Sequence, residues 1–104
     1  MNEMTAKGVF IVRAEVPEAD RAEFEDWYQN EHLGEAEKMF NATGAWRGWS
    51  QIDSAIHMAF YEFASVEAAV AIQESAALQT LIGKFDEAWG DRVSRTREVI
   101  AVVG

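Results

Sequence analysis

Asn41-Ala-Thr-Gly-Ala-Trp-Arg-Gly-Trp-Ser-Gln-Ile-Asp-Ser-Ala-Ile-His-Met-Ala-Phe-Tyr-Glu-Phe63 is the stretch on which the fold turns. It opens with the turn-forming cluster Asn41–Gly44. Two strand-like runs follow, Ala45–Ile52 and His57–Phe63, separated only by Asp53-Ser-Ala-Ile56. So short a connection joins antiparallel neighbours, and the centre of the chain is predicted to be a β-hairpin.

Outward from the hairpin, each side supplies one strand and one helical region. Upstream, Gly8-Val-Phe-Ile-Val-Arg-Ala-Glu-Val16 reads as a strand stopped by Pro17, whose ring nitrogen has no proton for a ladder. Pro17 suits the opening turn of a helix, Glu18 and Asp20 offset the positive end of its dipole, and the helix runs on into Phe24-Glu-Asp-Trp-Tyr28. Downstream, Ser65 caps a helix over Val66–Glu74 and Ser75 caps a second segment, in which Leu78, Leu81, Ile82, Phe85 and Trp89 keep helical spacing. Gly90 stands where a helix C-terminus takes a left-handed residue. Val93–Val103 is the last strand, continuously apolar from Val99, which predicts burial at its C-terminal end.

The order β-α-β-β-α-β is the split βαβ or ferredoxin-like plan, an α+β fold with a four-stranded antiparallel sheet and the helices on one face. At 104 residues, 49% of them apolar, residues 1–104 suffice for a single domain with one core. Helices cover only one side of such a sheet, yet the strands supply apolar side chains to both. Val9 and Ile11 oppose Phe10 and Val12, and Ala59 and Tyr61 oppose Met58 and Phe60. A second copy is the economical cover, so a homodimer through the open sheet face is expected, with a pocket inside.

Composition narrows the function. With 18 Asp and Glu against 9 Lys and Arg, the net charge of -9 repels nucleic acid and anionic membranes. No apolar run spans a bilayer and no basic start precedes one, so a cytoplasmic protein is the expectation. The absence of cysteine excludes disulfides, thiolate metal sites and Cys nucleophiles. No phosphate loop, GxSxG elbow or dinucleotide fingerprint occurs, and no cofactor is called for.

Trp27-Tyr-Gln-Asn-Glu-His-Leu-Gly-Glu35 holds the candidate chemistry. With Phe24 as origin and about 100° per residue, Phe24, Trp27 and Tyr28 form an apolar stripe; a continuing α-helix places Glu31 and Glu35 near its centre and His32 on its flank. Carboxylates do not belong there. Either the helix breaks or unwinds near Asn30, with Gly34 helping, or the Glu-His-Glu cluster sits at the rim of a pocket. A loop turning His32 toward the open mouth of the sheet satisfies both. His32 then reads as a general base or acid oriented by Glu31 or Glu35, or as a helix-terminal histidine bonded to a carbonyl. Glu31, His32 and Glu35 are metal-ligand types, but no second histidine stands near and HExxH spacing is absent, so no metal is predicted. Tyr61 could offer its hydroxyl to an oxyanion or sit in the core with that hydroxyl satisfied. His57 reads as a surface residue at a strand end, Trp46 and Trp49 face opposite ways, and Arg47, Arg95 and Arg97 read as ion-pairing or carboxylate-binding groups.

Phe24-Glu-Asp-Trp-Tyr-Gln-Asn-Glu-His-Leu-Gly-Glu35, Tyr61-Glu62 and Phe85-Asp-Glu-Ala-Trp-Gly-Asp-Arg-Val93 together resemble the EthD-like branch of the dimeric α/β-barrel proteins, over nearly the whole chain. The resemblance implies the same fold, homodimers with sheets face to face, and a barrel cavity for small hydrophobic molecules. Glu31, His32, Leu33 and Tyr61 match the family pattern, whereas Gly34 stands where that pattern usually has proline. The implied activities are varied: cofactor-independent monooxygenase, polyketide cyclase, isomerase.

The leading expectation is thus a cofactor-independent enzyme acting on an aromatic or polyketide-like carbonyl compound. His32, Tyr61 and Glu31 are its catalytic candidates, and Trp27, Tyr28, Trp49 and Leu33 its substrate pocket. The alternative is a non-catalytic protein binding a small apolar metabolite. In a third reading the dimer consumes the sheet face, with Trp49, Phe60 and Met58 filling the interior.

Overall fold

Strand β1 (Gly8–Glu15) lies inside the sheet and pairs antiparallel on both sides, in a computed structural model that describes residues 6–104. Its neighbours are β3 (Ile56–Phe63) and β4 (Ser94–Ala101), while β2 (Gly44–Trp49) completes the hairpin with β3. The order β2-β3-β1-β4, antiparallel throughout, is the ferredoxin-like sheet. The register aligns Phe10 with Tyr61 and Val99, Val12 with Ala59 and Arg97, and Ala14 with His57 and Arg95. These residues share one face, and all the helices pack on it.

Between β1 and β2 the chain makes a short turn (Glu18–Asp20), α1 (Arg21–Trp27), one π-helical turn (Tyr28–His32) and α2 (Leu33–Phe40). The expected departure from α-helix near Asn30 is an unwinding into this wider π-helical turn and not a break into a loop. Asn41 ends it in the left-handed conformation, φ 55°. Between β3 and β4 lie α3 (Val66–Ile72) and α4 (Ala76–Trp89). Ser65 and Ser75 cap them as expected, accepting from the backbone N–H of Ala68 and Leu78 at 3.1 Å each. Gly90 follows with φ +56°. At Gly8 the backbone approaches α3 so closely that a Cβ would stand 2.7 Å from the Ser65 carbonyl and 2.8 Å from the Ala69 methyl, so only glycine fits.

The core lies between helices and sheet: Phe10, Phe24, Tyr28, Phe40, Tyr61, Leu81, Phe85 and Trp89 are all buried there. Among the described residues no layer covers the opposite face. Trp46 stacks on Phe60 (centroids 5.5 Å apart, planes at 10°) and is 45% exposed; Ile100 is 41% exposed. The burial expected at the end of the last strand is therefore not found within one chain, because β4 is an edge strand whose open-face side chains meet no partner layer. The expected β2 is also shorter, since Ser50 Oγ accepts from the Ile52 and Asp53 N–H groups and turns the chain. Among the described residues no helix is long and apolar enough to cross a membrane.

Candidate functional site

The π-helical turn decides where the catalytic candidates point. It adds one residue to the helical path, so everything beyond it lags by about 100° relative to a continuous α-helix. With that lag His32, Ala36 and Phe40 fall on the stripe of Phe24 and Tyr28, and all five are buried. Glu31 turns out to solvent and Glu35 to the periphery, where it pairs with Lys84 at 2.8 Å. The misplaced carboxylates are thus resolved by a change of helical pitch.

His32 is 6% exposed, its ring stacked on Trp27 (4.4 Å, 18°) and set edge-on to Tyr28 (4.9 Å, 79°). Its Nδ1 is buried with no hydrogen-bond partner among the described residues. Burial pushes its pKa from 6.5 down to about 4; the Glu35 charge opposes this, while Arg95 and Lys84 reinforce it. The imidazole is accordingly neutral at pH 7. It shares a cavity with two buried tyrosines whose hydroxyls, Tyr28 Oη and Tyr61 Oη, are 3.2 Å apart. Burial raises Tyr28 to about 12, with the Tyr61 hydrogen bond and the arginines pulling back, and lifts Tyr61 well above 10 through burial and its tyrosine neighbour. Both stay protonated. Of their two O–H protons, one is used between them and the other remains to donate.

His32, Tyr28 and Tyr61 line one cavity, closed by Ala36, Phe40, Leu81 and Phe85 and bounded on the β4 side by Arg95 and Arg97. It leaves about 20 Å³, room for a water molecule. Next to it, Leu78, Ile82, Arg95 and Arg97 also border a shallow groove of about 570 Å³ between α4 and β4, with Gln73 and Gln79.

The cavity thus lies between helices and sheet, on the face opposite the one expected to hold the pocket. His32 does not point to the open sheet face, because the helical region carrying it packs on the other side. Tyr28 lines the cavity with His32 and Tyr61. Trp27 backs the His32 ring from outside, and Leu33 packs half-buried against the core. Glu31 is exposed, borders an outer groove with Trp27 and Lys84, and makes no hydrogen bond to His32; the expectation that it orients the ring is not met. Trp49 sits elsewhere, its Nε1 donating to Glu25 Oε1 at 2.8 Å and its ring against Phe24 (5.9 Å). It therefore cannot fill an interior on the open face with Phe60 and Met58, although it and Trp46 do face opposite ways.

His57 also departs from expectation. It is 1% exposed, because its parity with Tyr61 puts it beneath α1, and it packs on Phe24 (5.1 Å) and Tyr28 (4.6 Å). Arg47 donates to its Nε2 at 3.2 Å and is ion-paired with Glu25, so His57 Nε2 accepts and the proton belongs on Nδ1. Burial and then the Arg47 charge lower His57 to about 4, while the hydrogen bonds from Arg47 and Trp49 hold Glu25 near 2. This polar cluster joins α1 to the hairpin. Its one legible sign in the sequence is the shared parity of His57, Tyr61, Arg47 and Trp49.

No protein-family model and no curated protein matches the sequence. Solved structures match its fold. An ethyl tert-butyl ether D (EthD) family protein from Bacillus halodurans C-125 superimposes with a TM-score of 0.70 at 16% identity, over 93% of this chain and 99% of that one. A proposed antibiotic biosynthesis monooxygenase from Nitrosomonas europaea gives 0.62 at 16% identity, over 99% and 96%. A dimeric ferredoxin-like protein from an uncultured marine organism gives 0.56 at 13% identity, over 95% and 97%. The chain shares its fold with these proteins, the EthD family protein among them.

Proposed function

We propose that this chain is a small-molecule enzyme working by acid–base chemistry in the cavity between its helices and sheet, on an aromatic or polyketide-like carbonyl compound. The observation that carries this reading is a neutral, buried His32 lining the same cavity as the Tyr28–Tyr61 hydroxyl pair. His32 accepts the proton α to the carbonyl on its unprotonated ring nitrogen. The electron pair of the broken C–H bond moves onto the carbonyl oxygen, which receives the free O–H of the tyrosine pair. Return of the proton to another carbon gives an isomer, and attack of the carbanion within the same molecule gives a ring. The cavity's 20 Å³ admits no such substrate as it stands, so Leu78 and Ile82, which separate it from the groove, must move aside.

The test is proton exchange into an aryl methyl ketone, acetophenone, in D2O followed by NMR. Wild type is expected to accelerate exchange, and His32→Gln to lose about 10²-fold or more of that acceleration. Equal rates for the two would overturn the assignment. A second reading, binding without turnover, is favoured by the greater room of the groove, where a ligand need not touch His32. It predicts no exchange, and ligand affinity insensitive to His32→Gln.

The open sheet face supports the homodimer reading. Trp46 and Ile100 are exposed on this face beside the partly exposed Met58 and Phe60, and a second copy would cover them with the same apolar side chains in return.

A further inference from the structure

Among the described residues most cations have an assigned partner: Arg47 with Glu25, Lys84 with Glu35, Arg92 with Asp20 and Arg95 with Asp86. Arg21 donates to the Val16 carbonyl and to Ser54. Lys7, Arg13 and Lys38 are exposed. Arg97 differs from all of these. It is half-buried, makes no hydrogen bond or ion pair among the described residues, and lines both the cavity and the groove. In a chain of net charge -9 an unpaired guanidinium at the junction of two cavities is conspicuous, since any of 18 carboxylates could have been placed opposite it.

Its surroundings specify what it could hold. Arg95, two residues along the same face, adds a second positive charge, but it is paired with Asp86 at 2.5 Å and its guanidinium carbon stands over the Phe85 ring, 3.9 Å from the centroid. Leu78 and Ile82 of α4 form the apolar wall opposite, and Gln73 and Gln79 stand at the outer end of the groove. Partial burial and the Arg95 charge hold the Arg97 pKa below its usual range, with the Asp86 charge opposing them.

From this juxtaposition we infer that the groove takes a carboxylate-bearing aromatic or apolar molecule, with the carboxylate on Arg97 and the apolar body along Leu78 and Ile82 toward Tyr28, Tyr61 and His32. The inference deepens the proposed function and rests on it: the substrate is a carbonyl compound that carries an acid. Arg97 is then a specificity-determining residue, acting through a two-point, charge-assisted hydrogen bond that a neutral analogue cannot replace.

Calorimetric titration of the whole protein with 2-naphthoate and with the neutral isostere 2-naphthamide tests this. Wild type is expected to bind the acid about 10-fold or more tightly than the amide at low salt, with the preference shrinking as salt is raised. Arg97→Gln should bring the ratio close to one, and Arg97→Lys should keep part of it. Equal binding of acid and amide by wild type would overturn the anion reading while leaving the cavity reading intact, and requires no variant to fold. An acid preference that survives in Arg97→Gln would also overturn the role of Arg97. If neither probe binds, this inference fails, while proton exchange into acetophenone decides the proposed function separately.

Discussion

His32 and His57 are the residues whose burial has the most direct thermodynamic consequence. Each has its pKa lowered from 6.5 to about 4, so the unfolded chain binds more protons than the folded one between those values. Their contribution is therefore fully present above about pH 6.5 and is lost as pH falls toward 4. At 1.36 kcal/mol per unit, each histidine removes on the order of 3 kcal/mol across that window. Urea midpoints measured from pH 7 to 4 should fall steeply, and His32→Gln should reduce the slope by about half; an unchanged slope would show that the ring is not held neutral. Glu25 acts in a lower window, since its pKa is depressed to about 2 and its stabilisation is lost only as pH falls below its ordinary range. The tyrosine pair gives a second residue-scale prediction. Tyr28→Phe leaves the Tyr61 hydroxyl buried without a partner, and the reverse holds for Tyr61→Phe, at about 1–3 kcal/mol each. The double variant should cost less than the sum of the two, as measured in a denaturation cycle.

At the scale of elements, the π-helical turn at Tyr28–His32 is the feature on which the site depends. Removing one exposed residue from it, Asn30, converts the path to a regular α-helix while leaving Ala36, Phe40 and His32 on the buried stripe. The deletion should therefore fold, with a melting temperature near that of wild type and a His32 imidazole still titrating near pH 4 by NMR. A histidine released to titrate near 6.5 would contradict the one-residue account. The capping serines are simpler. Ser75→Ala removes the acceptor for the Leu78 N–H at the head of α4 and should cost about 1 kcal/mol. That helix carries Leu78, Leu81 and Phe85 into the cavity wall, so its first turn bears on the site as well as on stability.

For the whole molecule, the sheet has one covered face and one bare one. If a second copy covers the bare face, native mass spectrometry should report about twice 11.7 kDa, and Trp46→Glu should give a monomer that retains its far-ultraviolet circular dichroism. A wild-type monomer would leave Trp46, Phe60 and Ile100 without an explanation. The helix-side cavity lies within each copy, so a variant that dissociates the dimer tests the face without dismantling His32, Tyr28 and Tyr61.

The alternating pattern of the strands, Pro17 after β1, the serine caps and the short hairpin connection are local chemistry, and they determined the element order and hence the ferredoxin-like sheet. The parity of Phe10, Ala59 and Tyr61 against Val9, Met58 and Phe60 likewise determined that the sheet has two apolar faces. Which of these the helices cover is set only when helices and sheet pack, and that choice placed the cavity opposite to where sequence reasoning put it. Helical spacing at about 3.6 residues per turn marked Glu31 and Glu35 as misplaced and the helix as broken or unwound near Asn30, but not that a single added residue in a π-helical turn buries His32 and exposes Glu31. His57 looked like a strand end because its covering layer, α1, lies thirty or more positions away in the chain. The Arg47–Glu25 pair and the Tyr28–Tyr61 hydrogen bond are likewise contacts between distant segments. Local propensity is written in neighbouring residues, whereas burial, and with it the protonation state of a histidine, belongs to whatever the folded chain brings alongside.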